Sequence, residues 1–221
     1  MYARSWALRC GHAGTGSIKS ICPPTMGYLR MAWSGHIDVV QVDRMASILF
    51  VCTGNIFRSM TAEYALKASL DPRSSIHVSS AGTAAIPQQM HPDVRAYLVQ
   101  RGIDPSHHEQ RKVSLEILRY TDLVIAMSTD HQSFLVDTFQ YRAPLFNEVC
   151  HGRSEPLLDV WEAVPTWETN LDAARHYAFQ VMEYIWTSMP CLLQNLGTYL
   201  QAESSNPRVT SPTDHISHHR P

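Results

Sequence analysis

Long hydrophobic runs are missing from this sequence of 221 residues. No apolar stretch approaches the roughly 20 residues that a membrane-spanning helix needs, and the N-terminus lacks the apolar core of a secretory signal. A strong charge of either sign is missing too, since the formal net charge is -2. A field of that size gives no reason to expect nucleic acid or a membrane surface as a partner. These absences predict a soluble, cytoplasmic protein, and they leave its oligomeric state open.

Closely spaced cysteines are also missing. The five cysteines form no Cys-x-x-Cys pair and are scattered along the chain, at Cys10, Cys22, Cys52, Cys150 and Cys191. That spacing supports neither a zinc site nor a disulfide framework. Free thiols in a reducing compartment are therefore expected. No metal and no other cofactor is predicted.

The composition divides the chain into three regions. Residues 1–44 mix Gly, Ser, Pro, Arg and His without a sustained period of two or 3.6 residues, which predicts a disordered extension or a misread start. Residues 45–200 carry the periodic apolar patterns of a folded domain. Residues 201–221 are rich in Ser, Pro, Thr and His and predict a disordered tail.

Strands and helices alternate through the central region. The strands are predicted at 48–51, 76–79, 122–126 and, more weakly, 143–146. The helices are predicted at 58–70, 91–101, 115–119, 129–136 and 170–189. Alternation with nearly continuous apolar strands predicts a single three-layer α/β domain, in which helices cover both faces of a parallel sheet.

The chemistry is predicted in the connection between the first strand and the first helix. In an open α/β sheet, this edge presents free helix N–H groups to anionic ligands. Gly54 is expected to let the backbone turn so that its amides point inward, and Arg58 adds two parallel donors for phosphate oxygens. The sequence therefore predicts a phosphate-binding loop formed by Thr53, Gly54, Asn55, Ile56, Phe57, Arg58 and Ser59.

Cys52 lies at the start of this loop, where a positive environment favours its thiolate. Ser59 can donate a hydrogen bond to the sulfur. The predicted mechanism is covalent: Cys52 attacks phosphorus, Arg58 and the loop amides hold the oxygens, and water releases phosphate. A buried cysteine after a strand is often a plain core residue. Its place at a strand-to-helix turn, with Arg and Ser at this spacing, favours the nucleophile.

The stretch from Val51 to Ser59, followed by Thr61-Ala62-Glu63, resembles the signature of the low-molecular-weight protein tyrosine phosphatases. The resemblance extends over about residues 47–196. Further matching stretches are Ser80-Ala81-Gly82-Thr83, Arg101-Gly102-Ile103-Asp104, His108 with Arg111, and Asp122 to Met127. The resemblance implies a four-stranded parallel sheet in the order 2-1-3-4. It also implies that Cys52 is the nucleophile, Arg58 the phosphate clamp and Ser59 the thiolate donor. Three further residues would brace the loop, Asn55, Ser80 and His108.

The sequence departs from this family at the loop. Phe57 stands where the family usually has a second cysteine, and Met60 stands where it has a proline. A second thiol can trap the oxidised nucleophile as a disulfide. Without it, Cys52 is expected to be more open to irreversible oxidation.

A second departure concerns the general acid, which in the family is the Asp of an Asp-Pro pair on a late loop. Aligning residues 158–163 on that pattern places Glu162 at the acid position, with Asp159 as the nearest alternative. The reaction needs a carboxylic acid to protonate the leaving oxygen and a carboxylate to activate water. If neither residue is the acid, only activated aryl phosphates should be cleaved.

The expected substrate is a phosphotyrosyl protein. Ile56 supports this, because the phosphoarginine-specific relatives carry Thr at its position. Trp161 or Trp167 is a candidate surface for the phenyl ring, and Ile86 stands where the family often has an aromatic wall. Three alternatives remain: a phosphate- or phosphotyrosine-binding protein with impaired turnover, a protein arginine phosphatase, and an arsenate reductase. The last needs two further, closely spaced cysteines, which this sequence lacks.

Overall fold

The structure, a computed structural model, describes residues 45–204. The extension predicted for residues 1–44 lies outside the described residues. So does the predicted tail beyond residue 204, while residues 201–204 are the last turn of a helix. Within the described part, no helix is long and apolar enough to cross a membrane.

Among residues 45–204, three parallel strands form the sheet, in the order β2-β1-β3. They are β1 (Ser47–Cys52), β2 (His77–Gly82) and β3 (Leu123–Ala126). The central strand is buried from Ile48 onward, as its uninterrupted apolar sequence predicts. The parallel α/β architecture is thus confirmed.

The prediction of a fourth strand at 143–146 is wrong for the described part of the chain. Only a single parallel bridge joins Ala126 to Leu145 there, and the Ala126 N–H donates to the Pro144 carbonyl over 2.9 Å. Pro144 has no N–H to continue a ladder. The Leu145 N–H is bound by the Glu148 carboxylate over 2.6 Å, as part of a helix cap. The chain therefore turns into a helix after one bridge, and the predicted order 2-1-3-4 is matched only for its first three strands.

Seven helices cover the sheet in the described residues. Two of them, α5 and α6, were not predicted. The set is α1 (Arg58–Ser69), α2 (Pro92–Gln100), α3 (Leu115–Arg119), α4 (Thr129–Phe139), α5 (Phe146–His151), α6 (Val160–Ala163) and α7 (Leu171–Ser204).

The last helix runs 15 residues past its predicted end at 189, through Pro190. A proline inside a helix removes one backbone hydrogen bond. The buried side chains of Leu192, Leu196 and Leu200 extend the apolar stripe against the main core, and this packing explains why the helix continues.

The two faces of β1 are buried by different helices. Ile48 and Phe50 belong to a cluster with side chains of α1, α5 and α7. Leu49 and Val51 belong to a second cluster with side chains of α3 and α4. Side chains of β1 thus point alternately to the two helical layers, and the carboxyl end of β1, where Cys52 lies, is between these layers.

Candidate active site

Cys52 is the last residue of β1, and Arg58 is the first residue of α1. The intervening loop is held by the end of β2. The Thr83 N–H donates to the Cys52 carbonyl over 2.9 Å, and the Ala84 N–H donates to the Thr53 carbonyl over 3.0 Å. A Cβ atom at Gly82 would overlap the Thr53 carbonyl oxygen, so only glycine allows this close approach.

The left-handed turn of the loop falls on Asn55, with φ of 56°, and not on Gly54 as expected from the sequence. Asparagine adopts this conformation more readily than most residues. The side chain of Asn55 is fully buried and holds the turn in place. Its Oδ1 accepts from the Arg111 N–H over 3.1 Å, and its carbonyl accepts from His108 Nε2 over 2.6 Å.

The sulfur of Cys52 lies 2.9 Å from the hydroxyl of Ser59. Asn55 Nδ2 donates to this hydroxyl over 3.2 Å and to the Ser80 hydroxyl over 2.7 Å. Because the Ser59 oxygen accepts from Asn55, its own hydrogen is available to the sulfur. The structure thus brings Cys52, Ser59, Asn55 and Ser80 into one buried network.

Glu63 completes this network and was missed as a site residue. The Ser80 hydroxyl donates to its carboxylate over 2.5 Å, and Lys67 pairs with the second carboxylate oxygen. Because the carboxylate only accepts, the Ser80 hydroxyl donates to Glu63 and accepts from Asn55 Nδ2. Asn55 Nδ2 also donates to Ser59, and the Ser59 hydrogen is then left for the sulfur. A Glu four residues after Ser59 matches an ordinary helix surface position, and only the fold brings it to β2.

The guanidinium of Arg58 is 1% exposed and is held by the segment before α6. Its Nη1 donates to the Leu157 carbonyl over 2.7 Å, and its Nη2 pairs with the carboxylate of Asp159. The buried Nε has no partner among the described residues. An unpaired buried donor is costly, and an oxyanion in the loop would supply its partner.

Asp159 and Glu162 occupy different places in this segment. Asp159 is the N-cap of α6, and its N–H donates to Glu162 Oε2 over 2.5 Å in a capping box. That oxygen lies 3.9 Å from Arg58 Nη1, whereas the Asp159 carboxylate contacts the guanidinium directly. Tyr177 of α7 anchors the segment by donating to the Leu158 carbonyl over 3.1 Å.

The other predicted residues line the surroundings of the loop. Ile56 and Phe57 are half-buried, and Phe57 packs on the core next to buried Met60. Ile86 and Trp161 are more than half exposed, and Trp167 is 42% exposed. Trp161 is two residues from Asp159, on the short helix α6. All three cysteines of the described residues are free thiols, Cys52, Cys150 and Cys191.

His131 is a second residue that the sequence did not point to. Its Nε2 lies 3.0 Å from the Thr53 hydroxyl, and its Nδ1 lies 3.0 Å from the Ser128 N–H. Burial, together with the nearby Arg58 cation, lowers the pKa of His131 to about 3. The imidazole is therefore neutral in the folded protein near pH 7.

His131→Asn is expected to make the free energy of unfolding less dependent on pH below 6.5. In the unchanged protein, between the ordinary histidine pKa of 6.5 and the folded value of about 3, only the unfolded chain carries the proton on this residue. This histidine therefore lowers the free energy of unfolding of the unchanged protein by about 1.4 kcal/mol for each pH unit below 6.5, and its full contribution to stability is present above that pH. Denaturant unfolding at pH 7, 6 and 5 measures this slope. His91→Asn, at an exposed histidine, is the matched control. An equal slope in His131→Asn and in the unchanged protein would contradict the expectation.

An open parallel sheet, with an anion-binding loop between its central strand and a helix, defines a class of α/β phosphate-binding sites. The comparisons with known proteins narrow this class. Residues 47–160 match the family model described as low molecular weight phosphotyrosine protein phosphatase. The chain belongs to this family, and it is an enzyme of the phosphoric monoester hydrolase type.

Two curated relatives are named for different activities. The low molecular weight protein-tyrosine-phosphatase Ptp of Acinetobacter johnsonii is 36% identical over 117 residues, which are 52% of this chain and 80% of that protein. The protein-arginine-phosphatase of Bacillus subtilis is 32% identical over 117 residues, 51% of this chain and 77% of that protein. A crystal structure of the low molecular weight protein tyrosine phosphatase from T. tengcongensis has a TM-score of 0.55 at 25% identity. It covers 67% of this chain and 98% of that one.

Proposed function

We propose that this protein is a protein tyrosine phosphatase that hydrolyses phosphotyrosine through a cysteinyl-phosphate intermediate. The observation that carries the proposal is the joint placement of three groups at one loop. Cys52 lies next to a hydrogen-bond donor, Arg58 has a buried Nε without a partner among the described residues, and the Asp159 carboxylate lies against the guanidinium. A phosphoprotein is the substrate that this site suits.

In the first step, the Cys52 thiolate attacks phosphorus and the bond from phosphorus to the tyrosyl oxygen breaks. The loop amides and Arg58 hold the three oxygens that do not react. Ser59 supports the thiolate before attack and the sulfur again when it leaves. In the second step, water attacks the phosphocysteine, the P–S bond breaks and inorganic phosphate is released.

Asp159 is the group we assign to proton transfer in both steps. Its carboxylate contacts Arg58, whereas the Glu162 carboxylate is turned back onto the Asp159 N–H. A substrate phosphate competes with Asp159 for the guanidinium, and the displaced carboxyl then lies beside the phosphoryl group. The displaced carboxylate takes up a proton from solvent, gives it to the leaving tyrosyl oxygen and afterwards takes one from the attacking water. We assign Glu162 the role of holding α6 in place.

Phosphoarginine is the second candidate substrate, because one relative is a protein-arginine-phosphatase. Ile56 supports phosphotyrosine over it. An isoleucine offers the pocket an apolar surface, which suits a phenyl ring better than a charged guanidinium.

The free thiols of the described residues are in keeping with the predicted cytoplasmic location.

Assays with one phosphotyrosyl peptide and one phosphoarginyl peptide of the same sequence test this choice. The unchanged protein is expected to prefer phosphotyrosine, and Ile56→Thr is expected to lower that preference by about 10-fold or more. The loss corresponds to one apolar contact of about 1–3 kcal/mol replaced by a hydroxyl. Ile56→Val keeps an apolar surface and is the matched control. A preference for the phosphoarginyl peptide in the unchanged protein would refute the tyrosine assignment while leaving the phosphatase intact.

A further inference from the structure

Thr53 and His131 form a contact between the phosphate loop and α4 whose chemistry the reaction described above does not use. Thr53 is half-buried, and its backbone is fixed at the carbonyl by the Ala84 N–H. Its hydroxyl lies 3.0 Å from His131 Nε2. His131 itself is 2% exposed.

The hydrogen bonds of the imidazole determine which nitrogen carries the proton. Nδ1 lies 3.0 Å from the Ser128 N–H, which can only donate, so Nδ1 is the acceptor. Burial keeps the ring neutral. Nε2 therefore carries the single hydrogen and donates it to the Thr53 oxygen.

The Thr53 hydroxyl hydrogen is consequently left for another acceptor. No second partner of this hydroxyl is found in the part of the chain that the structure describes. Because Thr53 is only half-buried, a bound substrate can supply this acceptor. Met127, four residues before His131, hydrogen-bonds to two of the neighbouring segments: its N–H donates to the Val51 carbonyl over 3.0 Å, and its carbonyl accepts from the Leu157 N–H over 2.8 Å. The contact between Thr53 and His131 also lies near Arg58, whose cation lowers the pKa of His131 and whose guanidinium pairs with Asp159.

The choice of histidine at this position supports a role beyond capping. His131 is the third residue of α4 and returns a hydrogen bond to the N-cap Ser128, a place usually taken by Glu or Gln. A glutamate would bring a negative charge next to a bound phosphate. Histidine caps the helix without charge, and its second nitrogen reaches the loop.

We propose that His131 is a positioning residue and Thr53 a substrate-binding residue. The imidazole Nε2–H orients the Thr53 hydroxyl, which then donates its hydrogen to an oxygen of the bound phosphoprotein. The inference rests on the proposed phosphatase function. The oxygen belongs either to the phosphoryl group or to a peptide carbonyl of the substrate.

Two substitutions separate capping from positioning. Asn places an amide oxygen near the position of Nδ1, so His131→Asn keeps the cap and loses the donor to Thr53. Gln places an amide nitrogen near the position of Nε2, so His131→Gln keeps that donor. His131→Asn and Thr53→Val are each expected to lower kcat/KM by about 3- to 10-fold, the effect of one hydrogen bond. His131→Gln should remain near the unchanged protein.

The double variant Thr53→Val/His131→Asn should be no slower than Thr53→Val alone, because both remove the same interaction. A loss with para-nitrophenyl phosphate as well as with a phosphotyrosyl peptide assigns the acceptor to the phosphoryl group. A loss with the peptide alone assigns it to the peptide. His151→Asn removes a remote histidine–serine hydrogen bond to Ser188 and should leave kcat/KM unchanged. Thermal unfolding of each variant at pH 7 shows that it is folded.

Two results would overturn the inference: additive losses in the double variant, or unchanged kcat/KM of Thr53→Val on both substrates. Either result would leave the proposed function in place, provided that the unchanged protein hydrolyses para-nitrophenyl phosphate. Failure of the unchanged protein to do so would refute the proposed function itself.

Discussion

Cys52→Ser is expected to reduce hydrolysis of para-nitrophenyl phosphate to background. A serine hydroxyl at this position has no general base hydrogen-bonded to it, since the partner of the Cys52 sulfur is the donor Ser59. Removing a catalytic nucleophile or its partner costs hydrolases on the order of 10⁴ to 10⁶ in kcat. Steady-state kinetics with para-nitrophenyl phosphate measures the loss.

The same variant should still bind inorganic phosphate, because Arg58 and the loop backbone do not depend on the sulfur. Calorimetric titration with phosphate therefore distinguishes a lost nucleophile from a collapsed loop. Cys191→Ser changes a half-buried thiol on α7 and is the matched control. Retained turnover in Cys52→Ser would exclude Cys52 as the nucleophile.

The parts of the site that could be predicted from the sequence are local. Cys52, Arg58 and Ser59 have a fixed spacing across one strand-to-helix turn, so short-range patterns suffice to place them together. The strands of the sheet could also be predicted from the sequence, because β1 and β3 are apolar and buried along almost their whole length.

The residues that could not be predicted reach the loop from distant segments. Glu63 shows its role only through Ser80 on β2, and His131 only through Thr53. The fourth strand failed for a related reason. Residues 143–146 have a strand-like composition, but Glu148, outside that stretch, takes the N–H that a ladder would need. Competition of this kind between a side chain and a backbone partner leaves no signal in periodicity.

The choice between two carboxylates shows the same limit. Asp159 and Glu162 lie three residues apart, so either can be aligned with the expected acid. In the folded chain the capping box turns Glu162 back onto the Asp159 N–H and leaves Asp159 against Arg58. Sequence spacing predicted the pair, and the cap geometry gives its two members different surroundings.

Asp159→Asn is expected to lower kcat on a phosphotyrosyl peptide by about 10²- to 10⁴-fold, the usual contribution of a positioned general acid. Glu162→Gln should have a small effect, because glutamine still accepts the N-cap N–H in a capping box. With para-nitrophenyl phosphate the loss in Asp159→Asn should be smaller, since this leaving group needs little protonation. Comparing kcat of both variants on both substrates tests the assignment.

Phosphate affinity provides an independent measurement on the same variants. The Asp159 carboxylate pairs with Arg58 in the structure, so a phosphate that binds the guanidinium must compete with it. Asp159→Asn removes the competing charge and should bind inorganic phosphate more tightly, while it turns over more slowly. Slower turnover in Glu162→Gln than in Asp159→Asn would move the acid to Glu162. Unchanged turnover in both variants would leave the site without either acid. For Asp159→Asn we therefore expect kcat to fall and phosphate affinity to rise. A merely structural carboxylate would not produce this combination, because loss of a structural contact weakens binding and turnover together.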